Sequence, residues 1–97
     1  MTNHNFEWDE AKGEANYRKH GVDFAVSVEA FGDPVAIEVV DSRSDAYGED
    51  RVLITGMGGG VLLTVVYTER GSSLRIISAR RATRHEHDNY YRQNSQA

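Results

Sequence analysis

A chain of 97 residues, of which 39% are hydrophobic and 27% charged, has room for one modest core, so we expect residues 1–97 to form a single domain. The chain has no cysteine, which excludes a disulfide framework, a thiolate nucleophile and a zinc-thiolate site. The formal net charge of −4 is uneven, with −7 over residues 1–68 and +3 over residues 69–97. This polarity fits an anionic ligand on one face and a basic partner on another, or an ordinary solvated mixture of charges.

The beginning of the chain is polar and leads directly into residues 6–9 (FEWD), without the apolar stretch of a signal peptide. The longest apolar run, residues 61–66, is interrupted by Thr64 and is far too short to span a bilayer. We therefore expect a cytoplasmic protein that does not bind membranes.

Residues 6–8 predict a short extended entry, and Asp9 then begins a first helix. Asp9 is a favourable N-cap, and negative charge at residues 9 and 10 stabilises the positive end of a helix. Lys19 and His20 fall in the last turn, and Gly21 fits the position just beyond the helix end. We predict a helix from about Glu10 to His20 that lies on the surface, because few of its residues are apolar.

A second helix is predicted to begin after Asp23, which is another N-cap residue. Phe24, Val28 and Phe31 recur at the spacing of one helical face, so this helix has an apolar stripe. The helix is expected to end at residues 32–34 (GDP), because proline cannot continue it.

Four strands follow, separated by a polar connection over residues 42–50 and then by two turns that contain glycine. Their predicted bounds are Val35 to Asp41, Arg51 to Met57, Val61 to Glu69 and Ser73 to Arg80. Thr83 and Glu86 then fit a capping box, so a third helix is predicted to begin there and to run towards Arg92. The polar tail, residues 93–97, is expected to fray.

The predicted order of elements is β-α-α-β-β-β-β-α, which indicates the α+β class. Because consecutive strands are joined by short turns, the sheet is expected to be antiparallel. The helices are expected to pack on one face of this sheet.

Motifs for a metal, a phosphate loop or an activated nucleophile are weak in this chain. His85 and His87 are two residues apart and point to different faces of a helix, and the spacing HExxH is absent. Residues 58–60 (GGG) join two strands, whereas a phosphate-binding loop has a helix behind it. No serine lies in the setting of a nucleophile elbow. We therefore expect neither a metal nor a cofactor.

Two adjacent arginines at the end of the last strand are the best candidates for ligand binding. Strict alternation places Leu74, Ile76, Ser78 and Arg80 on one face and Arg75, Ile77, Ala79 and Arg81 on the other. Arg80 and Arg81 therefore diverge, and we assign Arg80 to the face that the helices leave open. An arginine fork there is suited to a phosphodiester, although pairing with the many acidic residues is the simpler explanation.

Other polar residues can join Arg80 if the strand registers allow it. Arg51 and Tyr67 lie on the two preceding strands, and Lys19 and His20 lie at a helix end that can approach the same rim. Such a face, with arginines, a histidine and a tyrosine, would suit an RNA backbone.

The chain resembles the BrnT family of type II toxins in several short motifs that occur in the family's order. They are FEWD (6–9), Lys12, Asn16, KHGV (19–22), Phe24, FGDP (31–34), EDR (49–51), YTER (67–70) and RIISAR (75–80), followed by a helix that bears tyrosines. The resemblance covers roughly residues 6 to 91. Each motif alone is weak, but the combination is specific.

The resemblance implies a RelE-like fold and a ribonuclease that cuts RNA and stops translation. It also implies a BrnA-like antitoxin that neutralises the toxin, with contact to DNA only through the antitoxin. The positions that match the family are Lys19, His20, Arg51, Tyr67, Glu69 and Arg80. The net charge of −4 departs from the basic character frequent in such toxins, because phosphate neutralisation supplies most non-specific affinity for RNA.

Our mechanistic hypothesis is cleavage without a metal, in which the 2′-hydroxyl attacks the adjacent phosphate and a cyclic phosphate forms. The roles that it assigns are charge stabilisation by Arg80 and Arg51, proton transfer by His20 or Glu69, base stacking by Tyr67 and RNA contacts by Lys19 and Arg81. Taken alone, His20 is also explained as a cation at a helix C-terminus. The alternative from another class is a non-catalytic binding module or degenerate toxin, whose arginines grip an acidic segment of the antitoxin.

Overall fold

The computed structural model describes residues 5–42, 44, 48 and 50–95. Within them the strands are β1 (Asn5–Glu7), β2 (Ile37–Val40), β3 (Val52–Gly58), β4 (Val61–Arg70) and β5 (Ser73–Arg81). The helices are α1 (Glu10–His20), α2 (Phe24–Ser27), which continues as a 3₁₀ turn (Val28–Gly32), and α3 (Arg84–Asn94). This mixture confirms the predicted α+β class.

The five strands form one sheet in the order β1-β5-β4-β3-β2. Strands β2 to β5 form an antiparallel meander, as predicted from their short connections. Strand β1 departs from the prediction because it pairs with β5 in parallel. A parallel pair needs a long crossover, which the helices and strands between β1 and β5 supply.

Helix α1 begins and ends at the predicted residues. The Asp9 Oδ1 atom accepts a hydrogen bond from the Lys12 N–H at 3.0 Å, and Gly21 ends the helix with φ at +70°. The buried residue of α1 is polar: the Asn16 side chain donates to the Val22 and Ala79 carbonyls and accepts from the Ala79 N–H. Asn16 therefore fixes α1 to β5 with hydrogen bonds to the sheet backbone.

The hydrophobic core lies between the sheet and the layer of α1, α2 and the 3₁₀ turn. We call this side of the sheet the core face. Its buried members include Val22, Phe24, Ala30, Ile54, Leu63, Val65, Tyr67, Leu74, Ile76 and Ala79. Phe24 is 2% exposed, so the predicted apolar stripe of the second helix does face the core.

A β-bulge in β5 changes which side chains share a face. Tyr67 pairs with Ile76, but Val66 pairs with Ser78, so Ile77 is an extra residue without a partner in β4. Leu74 and Ile76 therefore lie on the core face together with Ala79 and Arg81, not with Ser78 and Arg80 as strict alternation predicted. The predicted divergence of Arg80 and Arg81 is unaffected, because both follow the bulge.

Helix α3 lies on the other side of the sheet, which we call the α3 face. Glu86 of α3 contacts the side chains of Thr64 and Arg80, which point away from the core, and the Tyr90 hydroxyl donates to Asp33 Oδ2 at 2.7 Å. The prediction that all helices cover one face is therefore wrong for α3. The capping box of Thr83 and Glu86 is present as predicted.

Several predicted boundaries differ from the structure. Strand β2 begins at Ile37 rather than at Val35, because Asp33 holds a turn by accepting the N–H groups of Val35 and Ala36. Helix α3 continues to Asn94, and the last two residues of the predicted tail lie outside the described part of the chain, as do five residues of the polar connection over residues 42–50. Among the described helices, none has both the length and the hydropathy to cross a membrane.

Candidate functional site

Arg80 forms a two-pronged ion pair with Glu86 on the α3 face. Its Nη1 atom donates to Glu86 Oε1 at 2.7 Å and its Nη2 atom donates to Oε2 at 3.0 Å. The Arg80 side chain remains 31% exposed and that of Glu86 19%. The fork thus already holds two oxygens in the geometry with which arginine binds carboxylates and phosphates.

Glu86 accepts more hydrogen bonds than the pair with Arg80 alone. Its Oε1 atom also accepts from the Thr83 N–H at 2.8 Å and from the Thr64 hydroxyl at 2.9 Å. Burial raises the pKa of Glu86, but the hydrogen bonds from Arg80, Thr83 and Thr64 and the charge of Arg80 outweigh it and lower the pKa to about 2. The carboxylate is therefore ionised throughout the physiological range.

Threonine side chains of the neighbouring strands β4 and β3 support this ion pair. Thr64 lies directly opposite Arg80 in the β4–β5 register and opposite Thr55 in the β3–β4 register. The two threonine hydroxyls are 2.8 Å apart. Because Arg80 is anchored on a paired strand and this row of side chains is hydrogen-bonded, the guanidinium has little freedom to move.

A pocket of about 210 Å³ opens beside the ion pair, between α3 and the β2–β3 edge of the sheet. Its floor is Ile37, Val39, Leu53 and Thr55, and its wall is His85, Glu86 and Asn89. Glu86 belongs both to the pocket and to the pair with Arg80, so it separates the guanidinium from the cavity. The pocket wall carries one imidazole, that of His85.

The structure places Tyr67 on the opposite side of the sheet from Arg80. Tyr67 is 6% exposed, and its ring packs edge-to-face on that of Phe31 with centroids 5.0 Å apart. Its hydroxyl donates a hydrogen bond to Glu38 Oε1. Burial and the hydrogen bond to Glu38 raise the pKa of Tyr67. The expectation that Tyr67 joins Arg80 and stacks on a base is wrong, because its ring is part of the core.

Arg51 and Glu69 lie towards the far end of the sheet from Arg80. Val52 pairs with Tyr67 and Arg80 pairs with Thr64, which puts Arg51 about four residues, or roughly 13 Å, further along the strands. The Arg51 N–H donates to Ser44 Oγ. Glu69 is exposed and pairs with Leu74, so it is one residue more distant. Neither residue shares the immediate surroundings of Arg80.

Lys19 and His20 lie at the end of α1, and Arg81 lies on the core face at the end of β5. Lys19 and His20 occupy the exposed last turn of α1. Gly21, which follows them, lines a shallow pocket of about 250 Å³ together with Arg81. The end of α1 therefore lies on the side of the sheet that carries Arg81, and not on the side that carries Arg80.

Two residues of the site were missed as site residues in the sequence. Glu86 is readable only as a capping residue, and its contact with Arg80 depends on the side of the sheet on which α3 packs. His85 was considered only as a metal ligand, although its position beside the capping glutamate was a usable signal once α3 was placed. No group of three or more His, Asp or Glu side chains able to hold a metal occurs among the described residues.

Most of the chain is matched by a known class of proteins, the ribonuclease toxins of type II toxin–antitoxin systems. The family model described as "Ribonuclease toxin, BrnT, of type II toxin-antitoxin system" matches residues 8–86. The chain belongs to this BrnT family, which confirms the resemblance seen in its motifs. Membership of a type II system implies an antitoxin as the partner. A comparison with curated proteins found no match.

Proposed function

We propose that this chain is a metal-independent endoribonuclease that cuts RNA in the cytoplasm and thereby inhibits translation. A BrnA-like antitoxin would neutralise it and provide the only link to DNA. Family membership supports the ribonuclease activity, and the five-stranded sheet with its packed helices supports the proposed β-α-α-β-β-β-β-α order and RelE-like fold. We propose further that residues 1–97 act as one toxin domain.

The observation that carries this proposal is the fork of Arg80, which holds two carboxylate oxygens beside a pocket. In the proposed reaction the 2′-hydroxyl oxygen of a ribose attacks the adjacent phosphorus, and the bond to the 5′-oxygen breaks. A base takes the proton of the 2′-hydroxyl, and an acid gives a proton to the leaving 5′-oxygen. Arg80 would stabilise the charge on the two remaining phosphoryl oxygens, which occupy the positions of the Glu86 oxygens.

The proton-transfer residues are reassigned on geometric grounds. His20 and Glu69, the residues expected from the motifs, lie at other parts of the sheet from Arg80. His85 lines the pocket next to Glu86, so we propose that His85 serves as base or acid for a phosphate bound at Arg80. Lys19, His20 and Arg81 would then bind the RNA backbone beyond the cleavage site.

Arg51 keeps a separate role in this proposal. At roughly 13 Å along the strands it is too far to share one phosphoryl group with Arg80, but a neighbouring phosphate of an extended strand is within its reach. Arg51 would thus position the substrate rather than stabilise the transition state.

Cleavage of total RNA by the purified chain in EDTA tests the proposal. The parent and an Arg92→Ala control, which removes an exposed arginine of α3, should cut RNA. Arg80→Ala should lose about 100-fold or more of the rate, and Arg80→Lys should recover little because lysine lacks the fork. Circular dichroism must show that each variant is folded. Equal cleavage by Arg80→Ala would overturn the assignment, and no cleavage by the parent would favour a ribosome-dependent or inactive toxin.

A second candidate function is a non-catalytic module that only binds its antitoxin. The carboxylate of Glu86 in the Arg80 fork favours it, because an acidic segment of the antitoxin would present the same group to Arg80. One experiment with Arg80→Ala distinguishes the two candidate functions. An enzyme loses toxicity on Arg80→Ala and keeps its affinity for the antitoxin, whereas a binding module loses the affinity.

A further inference from the structure

A groove of about 420 Å³ lies on the outer side of α1, away from the ion pair of Arg80 and Glu86. Its floor includes the half-buried ring of Trp8, which packs edge-to-face on the buried ring of Phe24 with centroids 6.0 Å apart. Tyr17 of α1 lines the groove and is 58% exposed, so its ring is available to a partner.

Gly13 keeps this floor accessible. A β-carbon at Gly13 would lie 3.4 Å from the ring of Phe24 and 3.6 Å from that of Trp8, so a larger side chain would cover both rings. Glycine within a helix costs about 0.5–1 kcal/mol relative to alanine, and α1 carries it in the turn that faces the groove. The groove is thus a feature of the helix sequence and not only of its packing.

The walls of the groove are mainly acidic. Glu10, Glu14 and Asp23 line it with one cation, Arg18, at the end nearer the last turn of α1. Negative walls repel an RNA backbone. They suit instead a partner that brings a lysine or arginine, and the exposed ring of Tyr17 adds an attraction for the same cation.

We propose that this groove is a docking site for the antitoxin and that its occupant is a segment with an apolar side chain next to a lysine or arginine. The apolar group would pack on Trp8, and the cation would lie between Glu14 and Tyr17. Buried aromatic anchors of this kind dominate the energy of protein interfaces. A second copy fits less well, because two chains of net charge −4 repel each other.

The identity of the partner in this inference rests on the proposed toxin function, whereas the geometry of the groove does not depend on it. Groove and ion pair lie on different sides of the sheet, since α1 packs on the core face and Glu86 on the α3 face. Glu14 lines the groove but not the pocket that holds Arg81, whereas Tyr17 lines both. Substitution of Glu14 therefore separates loss of antitoxin binding from loss of RNA cleavage.

The test uses isothermal titration calorimetry to measure the affinity of the full chain for its purified antitoxin. Tyr17→Ala and Glu14→Lys should each weaken binding about tenfold or more. Ala15→Lys is the matched control: it adds a lysine to the same helix at an exposed position that does not line the groove, and it should change the affinity less than about twofold.

Unchanged affinity in Tyr17→Ala and Glu14→Lys would overturn the proposal. So would a dimer of the parent chain that Tyr17→Ala dissociates in sedimentation, because a second copy would then occupy the groove. The RNA cleavage assay of the same variants separates the two proposals. Weakened antitoxin binding by the variants, together with a parent that cuts no purified RNA, would support the groove and contradict cleavage in the absence of the ribosome. Normal cleavage and normal antitoxin binding by the variants would do the reverse.

Discussion

At the scale of single residues, Glu86 has two functions that compete with each other. It caps α3 through the Thr83 N–H, and it fills the Arg80 fork that we assign to phosphate. A phosphate that binds Arg80 must displace at least one carboxylate oxygen. Glu86 thus lowers the affinity of the site for any anion while it holds α3 in place.

Replacing Glu86 by glutamine separates these effects. Glutamine keeps an oxygen for the cap but loses the charge, so RNA should bind Arg80 several-fold more tightly while the free energy of unfolding falls by about 1 kcal/mol. Filter binding to a 2′-deoxy RNA analogue and urea denaturation measure the two quantities. If Arg80 served only to hold α3, RNA binding would stay the same or weaken.

The same carboxylate predicts how stability depends on pH. The pKa of Glu86 is lowered from 4.5 to about 2, so its contribution is complete above pH 4.5 and is lost as pH falls towards 2. The parent chain should therefore lose more stability than Glu86→Gln between pH 5 and about pH 3. The midpoints of urea denaturation of both proteins at the two pH values check this. Equal losses of stability in the parent and in Glu86→Gln would mean that Glu86 is not the responsible group.

His85 is the residue for which we expect a catalytic effect without a structural one. It is exposed on α3, so His85→Gln should preserve folding and RNA binding while cleavage slows by about 100-fold or more. His87→Gln is the matched control, because His87 contacts Tyr91 at 4.7 Å and does not line the pocket. A loss of cleavage in His20→Gln instead would return the proton transfer to the end of α1.

Part of this site was readable from the sequence and part was not. Arg80 follows the bulge, so its divergence from Arg81 needed only local alternation. Tyr67 was misplaced although its spacing from Leu63 and Val65, with threonines between and after them, indicates the core face. The partners of Arg80 needed the side on which α3 packs, and no local pattern contains that information.

At the scale of whole elements, the ends of helices were predictable from the sequence, but the side of the sheet on which α3 packs was not. Asp9, Gly21, Asp23 and Thr83 end or begin helices where short-range rules place them. The bulge at Ile77 is a single inserted residue that shows only in the pairing of β5 with β4. It was not predictable because it depends on contacts between residues distant in the chain.

The attachment of α1 to the sheet depends on Asn16 more than on apolar contact. Asn16→Leu leaves the Ala79 N–H and carbonyl and the Val22 carbonyl without these partners in a buried setting, so the free energy of unfolding should fall by about 3 kcal/mol. Lys12→Ala, at an exposed position of the same helix, should change it by less than about 0.5 kcal/mol. Urea denaturation distinguishes the two. Similar small losses would mean that water replaces the side chain.

At the scale of the whole molecule, an acidic chain can bind RNA because its charges are separated in space. The groove beside α1 is lined mainly by acids, whereas Lys19 lies in the last turn of α1, Arg81 lines the adjoining pocket at the end of β5 and Arg80 lies on the α3 face. RNA should therefore contact a small basic area, and the number of phosphates that it meets there should be low. The dependence of binding on salt measures that number directly.

For single-stranded RNA each neutralised phosphate contributes about 0.7 to the slope of log affinity against log salt concentration. The double variant Lys19→Ala/Arg81→Ala should thus lower the slope by about 1.4, while Arg92→Ala, at the far end of α3, should leave it unchanged. Binding of a 2′-deoxy RNA analogue between 50 and 200 mM salt provides the slopes. Equal slopes in all three proteins would mean that RNA does not cross the end of α1, and the substrate path would then have to follow the α3 face from Arg80 towards Arg51.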